Sequence, residues 1–131
     1  MTELSKPEVL RNRSKAFAIR VIHMCRTLPR TLDAQIIGKQ ALRSATSVAA
    51  NYRAVCRARS KAEFVAKIGI AVEEADETVF WLEMLADSGI VKSDRLAGLI
   101  AEANELLAIL AASQRTSRSS QNRSDNGQMA R

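Results

Sequence analysis

Apolar and small side chains recur along this chain at alternating spacings of three and four residues. Such spacing places all of them on one side of a helix, whereas it would scatter them over both faces of a strand. The clearest run begins after Ser60 and ends near Asp87. Ser60 and Glu63 form the Ser-x-x-Glu pattern of a capping box, which predicts that this helix begins at Lys61. Its stripe consists of Phe64, Ile68, Ala71, Ala75, Thr78, Leu82 and Leu85.

Three further runs of this kind predict helices over residues 8–28, about 33–57 and about 93–112. Each run is long enough for several helical turns and carries polar residues on its other side. The stripe of the first is Leu10, Ser14, Phe17, Val21, Met24 and Leu28. The stripe of the second is Ile37, Ala41, Ser44, Val48, Tyr52 and Val55. The stripe of the last is Leu96, Leu99, Ala103, Leu106 and Leu110.

Short turns separate these helices. Pro29 ends the first because a residue before proline avoids helical dihedral angles, and Gly89 can end the third in the left-handed conformation. Four helices joined by short turns predict an all-α fold, an up-down-up-down antiparallel four-helix bundle over residues 8–112. Residues 1–7 are predicted to be a flexible N-terminus. Residues 113–131 have no apolar period and little to bury, which predicts a disordered, basic C-terminal tail.

Residues 43–53 and 57–85 carry a family resemblance. They read RSATSVAANYR and RARSKAEFVAKIGIAVEEADETVFWLEML, which resembles the bacterial four-helix-bundle family whose founding members are encoded in intervening sequences of 23S rRNA genes. Accessory variability proteins of diversity-generating retroelements share that fold. The resemblance is specific across residues 43–85, extends over about 10–112 and does not reach the tail. It implies a bundle that assembles into a homopentameric ring, often with a basic surface suited to nucleic acid.

Charge is unevenly distributed along the chain. The net charge is +6, yet Lys and Arg exceed Asp and Glu by nine in residues 1–59, whereas residues 60–91 carry a net charge of −5. Basic residues predicted on outward faces of the first two helices, or in the turn after them, are Arg11, Arg13, Lys15, Arg20, Lys39, Arg53, Arg57 and Arg59. Contacts from such residues would go to phosphates, which fix affinity without reading sequence.

This pattern favours a non-catalytic protein that binds RNA, DNA or a nucleoprotein. The alternative hypothesis is a protein-interaction scaffold whose basic surface recognises an acidic protein partner. A role at a membrane surface is disfavoured, because the basic helices lack the Trp and Phe edge of interfacial helices. No apolar run reaches the length of a signal peptide or a membrane span, so we expect a cytoplasmic protein.

Residues for catalysis or metal binding are few. The acidic cluster Glu73, Glu74, Asp76 and Glu77 could suggest a di-iron site, but such sites need Glu-x-x-His on two helices, and the single histidine, His23, has no Glu three residues before it. No nucleophile with a nearby base, P-loop or dinucleotide motif is evident. We therefore predict no enzyme activity, no metal and no cofactor. Two cysteines within apolar patterns, Cys25 and Cys56, are predicted to be free core thiols.

A pairing between the second and third helices is also predicted. In a hairpin that turns near Arg59, residue 43 lies opposite residue 75. Arg43 is therefore expected to pair with Glu74 and to fix the register of the two helices.

The end of the third helix predicts self-association. Residues 79–85 are apolar almost all the way round, although one stripe is enough for a four-helix core. Large exposed apolar side chains usually mark an interface. Phe80, Trp81 and Met84 are therefore predicted to form an oligomer interface, and the family resemblance implies that the oligomer is a pentamer.

Overall fold

The computed structural model describes the backbone of residues 3–129 and the side chains of residues 3–127. It contains four helices: α1 (Lys6–Cys25), α2 (Leu32–Cys56), α3 (Lys61–Asp87) and α4 (Ser93–Met129). No strand occurs within residues 3–129. The all-α fold predicted from the stripes is confirmed.

The helices form a four-membered ring of neighbours. α1 packs against α2, α2 against α3 and α3 against α4, whereas α1 meets α4 over a much smaller area. Because short turns join consecutive neighbours, adjacent helices run antiparallel, as the up-down-up-down prediction requires. Nearly every predicted stripe residue is buried, and those only half-buried are Met24, Leu28, Ile37 and Phe64. Of the two predicted core thiols, Cys25 is half-buried and Cys56 is exposed.

Local hydrogen bonds explain where the helices begin and end. Ser60 Oγ accepts the Glu63 backbone N–H at 3.1 Å, as predicted for the start of α3. A second capping box, which the sequence analysis missed, starts α1: Ser5 Oγ accepts the Glu8 N–H at 3.2 Å, and the Ser5 N–H donates to Glu8 Oε2 at 2.9 Å. Gly89 adopts the left-handed conformation, with φ at 79°, where α3 stops.

The structure differs from the sequence prediction after residue 112. Instead of becoming disordered, the chain continues α4 as a helix to Met129. Ser117 is buried, Lys61 Nζ donates to Ser120 Oγ, and the Gln121 side-chain oxygen is buried. Extending an existing helix avoids the cost of nucleation. Although this extension has no apolar residue up to Gln121, its small inner side chains let α4 lie close to the start of α3.

α4 has an unusual composition for a bundle helix. Among the described residues it is the one helix long and apolar enough to span a membrane, a test that core helices of soluble proteins also pass. Leu96, Leu106 and Leu110 are fully buried against the other helices. The apolar stripe of α4 is therefore used for packing within the bundle.

Candidate functional site

Exposed basic side chains line the seam between α1 and α2. The Cys25 thiol donates to the Gly38 carbonyl oxygen at 3.5 Å. Burial raises the pKa of Tyr52 on α2, and the charge of Arg11 on α1 is near enough to oppose that rise in part. These two contacts fix the antiparallel register of α1 and α2. The exposed bases that flank the seam, here called the basic groove, are Arg11, Lys15, Arg26, Lys39, Arg53 and Arg57.

Few acids lie near the basic groove. One of them is Glu8 on α1, whose pKa is lowered by hydrogen bonds with Ser5 and by the nearby charge of Arg11. Residues 9–59 contain eleven Lys and Arg residues but a single acid, Asp33. Within the described part of the chain, none of the six groove side chains takes part in an ion pair. Five of the six were predicted from sequence as phosphate ligands, and the structure adds Arg26.

Two other predicted phosphate ligands face α4 instead. Arg13 donates from Nε to Glu102 Oε2 at 2.8 Å and from Nη2 to Glu102 Oε1 at 2.6 Å, and its Nη2 also lies 2.9 Å from Glu105 Oε1. Nη2 of Arg20 lies 3.4 Å from where a Cβ at Gly98 would stand. The prediction that Arg13 is available for phosphates is therefore corrected, because two carboxylates already occupy its guanidinium.

The Arg13 pair also affects the charge state of α4. Its hydrogen bonds hold the pKa of Glu102 below the usual range of a glutamate, so this carboxylate stays ionised to a lower pH than a free glutamate would. The eighth predicted ligand, Arg59, is exposed in the α2–α3 turn, with Nε 3.9 Å from Glu63 Oε2.

Arg43 links α2 to α3, and its predicted partner is in place. Arg43 Nη1 lies 3.1 Å from Glu74 Oε2, and Nη2 contacts Glu77 Oε1. The Trp81 indole N–H donates to the same Glu77 oxygen at 3.2 Å, and the indole and Arg43 together lower the pKa of Glu77. The sequence analysis missed Glu77 and Trp81 as members of this network.

Replacing Arg43 with Ala should lower the free energy of unfolding by about 1 kcal/mol, the upper end for exposed pairs. The Arg43 side chain is 47% exposed, but Glu74 is only 18% exposed and would lose its cation. Urea unfolding of Arg43→Ala, Glu74→Ala and the double variant measures the coupling. Arg53→Ala is the matched control on the same helix, and independent effects of the two substitutions would contradict the pairing.

Other members of the acidic cluster on α3 are solvated. Glu73 and Asp76 are exposed, whereas Glu74 and Glu77 are bound by Arg43. Among the described residues, no group of three or more His, Cys, Asp or Glu side chains is placed to hold a metal ion.

Large apolar side chains are exposed on the outer side of α2 and α3. Phe80 is 50% and Met84 37% exposed, and the Trp81 ring meets Phe80 edge-on with centroids 4.9 Å apart. Ile36 and Leu32, which are 54% and 78% exposed, share the outer side of α2 with Arg43. Sequence analysis identified only the exposed apolar residues of α3. Leu32 and Ile36 could also have been identified, because they are large, apolar, four residues apart and outside the core stripe of α2.

A cleft of about 1280 Å³ opens between the start of α1, the α2–α3 turn and the later part of α4. All four helices contribute to this end cleft, whose large apolar lining residues are Leu4, Val9, Leu10, Val55, Phe64 and Ile109. Its charged lining residues are Lys6, Arg13 and Lys61, and none of the acids in the described part of the chain lines it. Burial raises the pKa of Tyr52 in its wall to about 12, so that hydroxyl stays neutral. No sequence pattern predicted this cleft, because it depends on how far α1 and α4 separate.

Comparison with known proteins identifies the family. The profile of the family described as 23S rRNA-intervening sequence protein matches residues 8–112. The fold is similar to the 1.70 Å crystal structure of a protein of unknown function from the S23 ribosomal protein family of Bacteroides thetaiotaomicron VPI-5482. The two have a TM-score of 0.78 and 31% sequence identity, over 85% of this chain and 99% of that one. No curated protein sequence matches significantly. Because the family profile covers most of the chain, including parts of all four helices, this chain belongs to the 23S rRNA-intervening sequence protein family.

Proposed function

We propose that this protein is a non-catalytic, cytoplasmic, oligomeric bundle that binds nucleic acid or a nucleoprotein partner mainly through phosphate contacts. The basic groove carries the proposal. Its six Lys and Arg side chains are exposed, unpaired within the described residues and arranged along one seam of the bundle. A row of cations that form no ion pairs and have few acids nearby attracts a polyanion.

The dimensions and chemistry of the groove suit a phosphate backbone. Arg11 and Arg26 are about 22 Å apart along the axis of α1, at 1.5 Å per residue. Phosphates follow one another about every 3.4 Å along each strand of a duplex, so the groove can meet several of them. Tyr52 lies near Arg11 but is buried, and within residues 3–127 no exposed aromatic side chain accompanies the six bases to stack on nucleotide bases. Binding should therefore depend little on sequence.

Self-association would repeat the groove and raise the total affinity for a long polyanion. Exposed Leu32, Ile36, Phe80 and Met84 support an oligomer, because apolar side chains of this size are favoured in interfaces. The pentamer and the relation to accessory variability proteins of diversity-generating retroelements are part of this proposal and come from the family resemblance.

Replacing Arg53 and Arg57 together with Ala should weaken binding to all RNA and DNA sequences alike. Loss of two phosphate contacts should also make the dependence of log affinity on log salt shallower, by about 0.9 for each contact on duplex. Gel-shift or anisotropy titrations at several salt concentrations measure both effects.

A matched control is Arg115→Ala with Arg118→Ala, which removes the same charge from the exposed face of α4. This variant should bind more tightly than the groove variant, and Glu73→Ala should not weaken binding. Absence of binding by the intact oligomer to any RNA or DNA at low salt would contradict the proposed function.

One observation favours the alternative of a scaffold for an acidic protein. A pocket of about 570 Å³ at the α1–α2 turn has apolar lining from Ile22, Leu28 and Leu42, with Arg26 and Lys39 beside it. An acidic protein could place an apolar side chain there, whereas phosphates have no use for it. Ile22→Ala should therefore leave nucleic-acid binding unchanged but would weaken capture of an acidic protein.

A further inference from the structure

We infer that α3 of one copy docks its aromatic end into the end cleft of a second copy. This inference rests on the self-association in the proposed function and names the two surfaces that meet. Its two halves are an apolar projection with acidic flanks, here called the tooth, and the end cleft with its basic mouth.

The tooth is the outward side of α3 around Phe80 and Met84. Four exposed acids surround Phe80 at helical spacing, with Asp76 four residues before it and Glu83 three residues after it, and with Glu73 and Asp87 seven residues to either side. Residues 68–91 contain six acids and no base. Only Glu74 and Glu77 are neutralised by Arg43, so the acids beside Phe80 have no cation within the described residues.

The end cleft has the opposite charge and the same apolar character. Lys6 and Lys61 are the first residues of α1 and α3, so their charges add to the positive ends of two helix dipoles. Leu4, Val9 and Ile109 line the cleft and are 58%, 48% and 37% exposed, although each is large and apolar. Covering these side chains with an apolar group from another molecule would remove them from water, which is energetically favourable.

The tooth is complementary to the end cleft in apolar character and in charge. Phe80 and Met84 can enter between the apolar walls, while flanking acids such as Glu83 and Asp76 approach Lys6 and Lys61. A buried aromatic side chain removes about 150–250 Å² from water. A stable interface needs about 800 Å² on each partner, so the acidic flanks of the tooth and the rim of the cleft must also take part in the contact.

Placement of the two surfaces lets one copy use both at once. The tooth lies near the α3–α4 turn, whereas the cleft lies between α1 and α4 at the end that holds the α2–α3 turn. α3 contacts α2 and α4 but not α1, so Phe80 projects away from the α1–α4 seam. A contact between two different surfaces is heterologous, and it continues from copy to copy until a ring closes or a filament forms.

Two variants that each block one surface test the inference. Phe80→Glu places a charge on the tooth, and Thr116→Trp fills the cleft from its exposed wall on α4. Each variant alone should lose self-association. An equimolar mixture should form a dimer and nothing larger, because only one intact tooth and one intact cleft can meet. Multi-angle light scattering or analytical ultracentrifugation gives the masses, and circular dichroism verifies folding.

Matched controls place the same side chains elsewhere. Ile70→Glu alters another exposed apolar residue of α3, and Ser119→Trp puts an indole on the solvent side of α4, outside the cleft. Both should assemble like the wild type, which would show that the blocking effects are specific to position.

The other outcomes overturn the inference in distinguishable ways. A monomeric wild type would overturn both the proposed oligomer and this contact. A wild type that assembles while Thr116→Trp assembles equally well would show that the cleft is not the partner surface, and the proposed function would stand. Two monomeric variants that fail to dimerise on mixing would also overturn the tooth-and-cleft contact. Anilinonaphthalene sulfonate is a small apolar anion that can serve as a probe of the cleft. If Thr116→Trp abolishes binding of this probe but leaves self-association unchanged, the cleft holds a small apolar anion instead of a second copy.

Discussion

Deleting residues 113–131 should lower the free energy of unfolding by about 2 kcal/mol, whereas deleting residues 122–131 should change it little. The first deletion removes Ser117, which is buried, and Gln114, whose Nε2 lies 3.4 Å from where a Cβ at Gly69 would stand. It also exposes the half-buried Phe64 on α3. About 80 Å² of newly exposed apolar surface is sufficient for this loss, at about 25 cal/mol per Å². Such a change would lower the melting temperature by about 8 °C.

The shorter deletion is the control for this prediction. Residues 122–127 are exposed, so their removal uncovers no core. Thermal unfolding of the two truncated proteins, followed by circular dichroism, compares them directly. Equal melting temperatures for the full chain and the protein ending at residue 112 would show that the last part of α4 does not stabilise the bundle.

Sequence alone predicted the helices because their signals are local. Spacing of three and four residues determines which side of each helix is buried, so Ile68, Leu82 and Leu106 could be assigned to the core without knowing their neighbours. Arg43 and Glu74 could also be paired in advance. They lie on consecutive helices, whose antiparallel register follows from the position of the turn.

Contacts between α1 and α4 could not be predicted from the sequence in this way. Arg13 and Glu102 are 89 residues apart, and no turn between them fixes their register. Sequence analysis therefore placed Arg13 with the outward bases, although two carboxylates hold it. The end cleft was missed for the same reason, since its volume depends on the separation of two helices that share little contact.

Composition was also a poor guide to the end of α4. Residues 113–121 read SQRTSRSSQ and contain no apolar side chain, which favoured disorder. The structure nevertheless places Ser117 among the buried residues of α4, where it continues the stripe that runs through Leu106 and Leu110. A small polar residue can fill an inner position where α4 passes close to α3, and its hydroxyl is satisfied by the Gln114 carbonyl oxygen at 2.9 Å.

Replacing Arg13 with Ala should lower the free energy of unfolding by about 2 kcal/mol at neutral pH. This value lies between those of exposed pairs and fully buried pairs, because the Arg13 and Glu102 side chains are 30% and 20% exposed. Arg13 is also the one residue whose ion pairs join α1 to α4 within the described chain. Arg20→Ala, on the same side of α1, is the matched control and should cost much less.

The destabilising effect of Arg13→Ala should depend on pH. Hydrogen bonds from Arg13 lower the pKa of Glu102 in the folded state, so their contribution is present above the unfolded pKa and is lost as pH falls through the folded pKa. An unfolded glutamate titrates near about 4.3. The difference in stability between wild type and Arg13→Ala should therefore be full at pH 7 and smaller at pH 3, as measured by urea unfolding. A difference that stayed constant over this range would show that Arg13 stabilises α1 against α4 through the packing of its methylene groups and not through its charge.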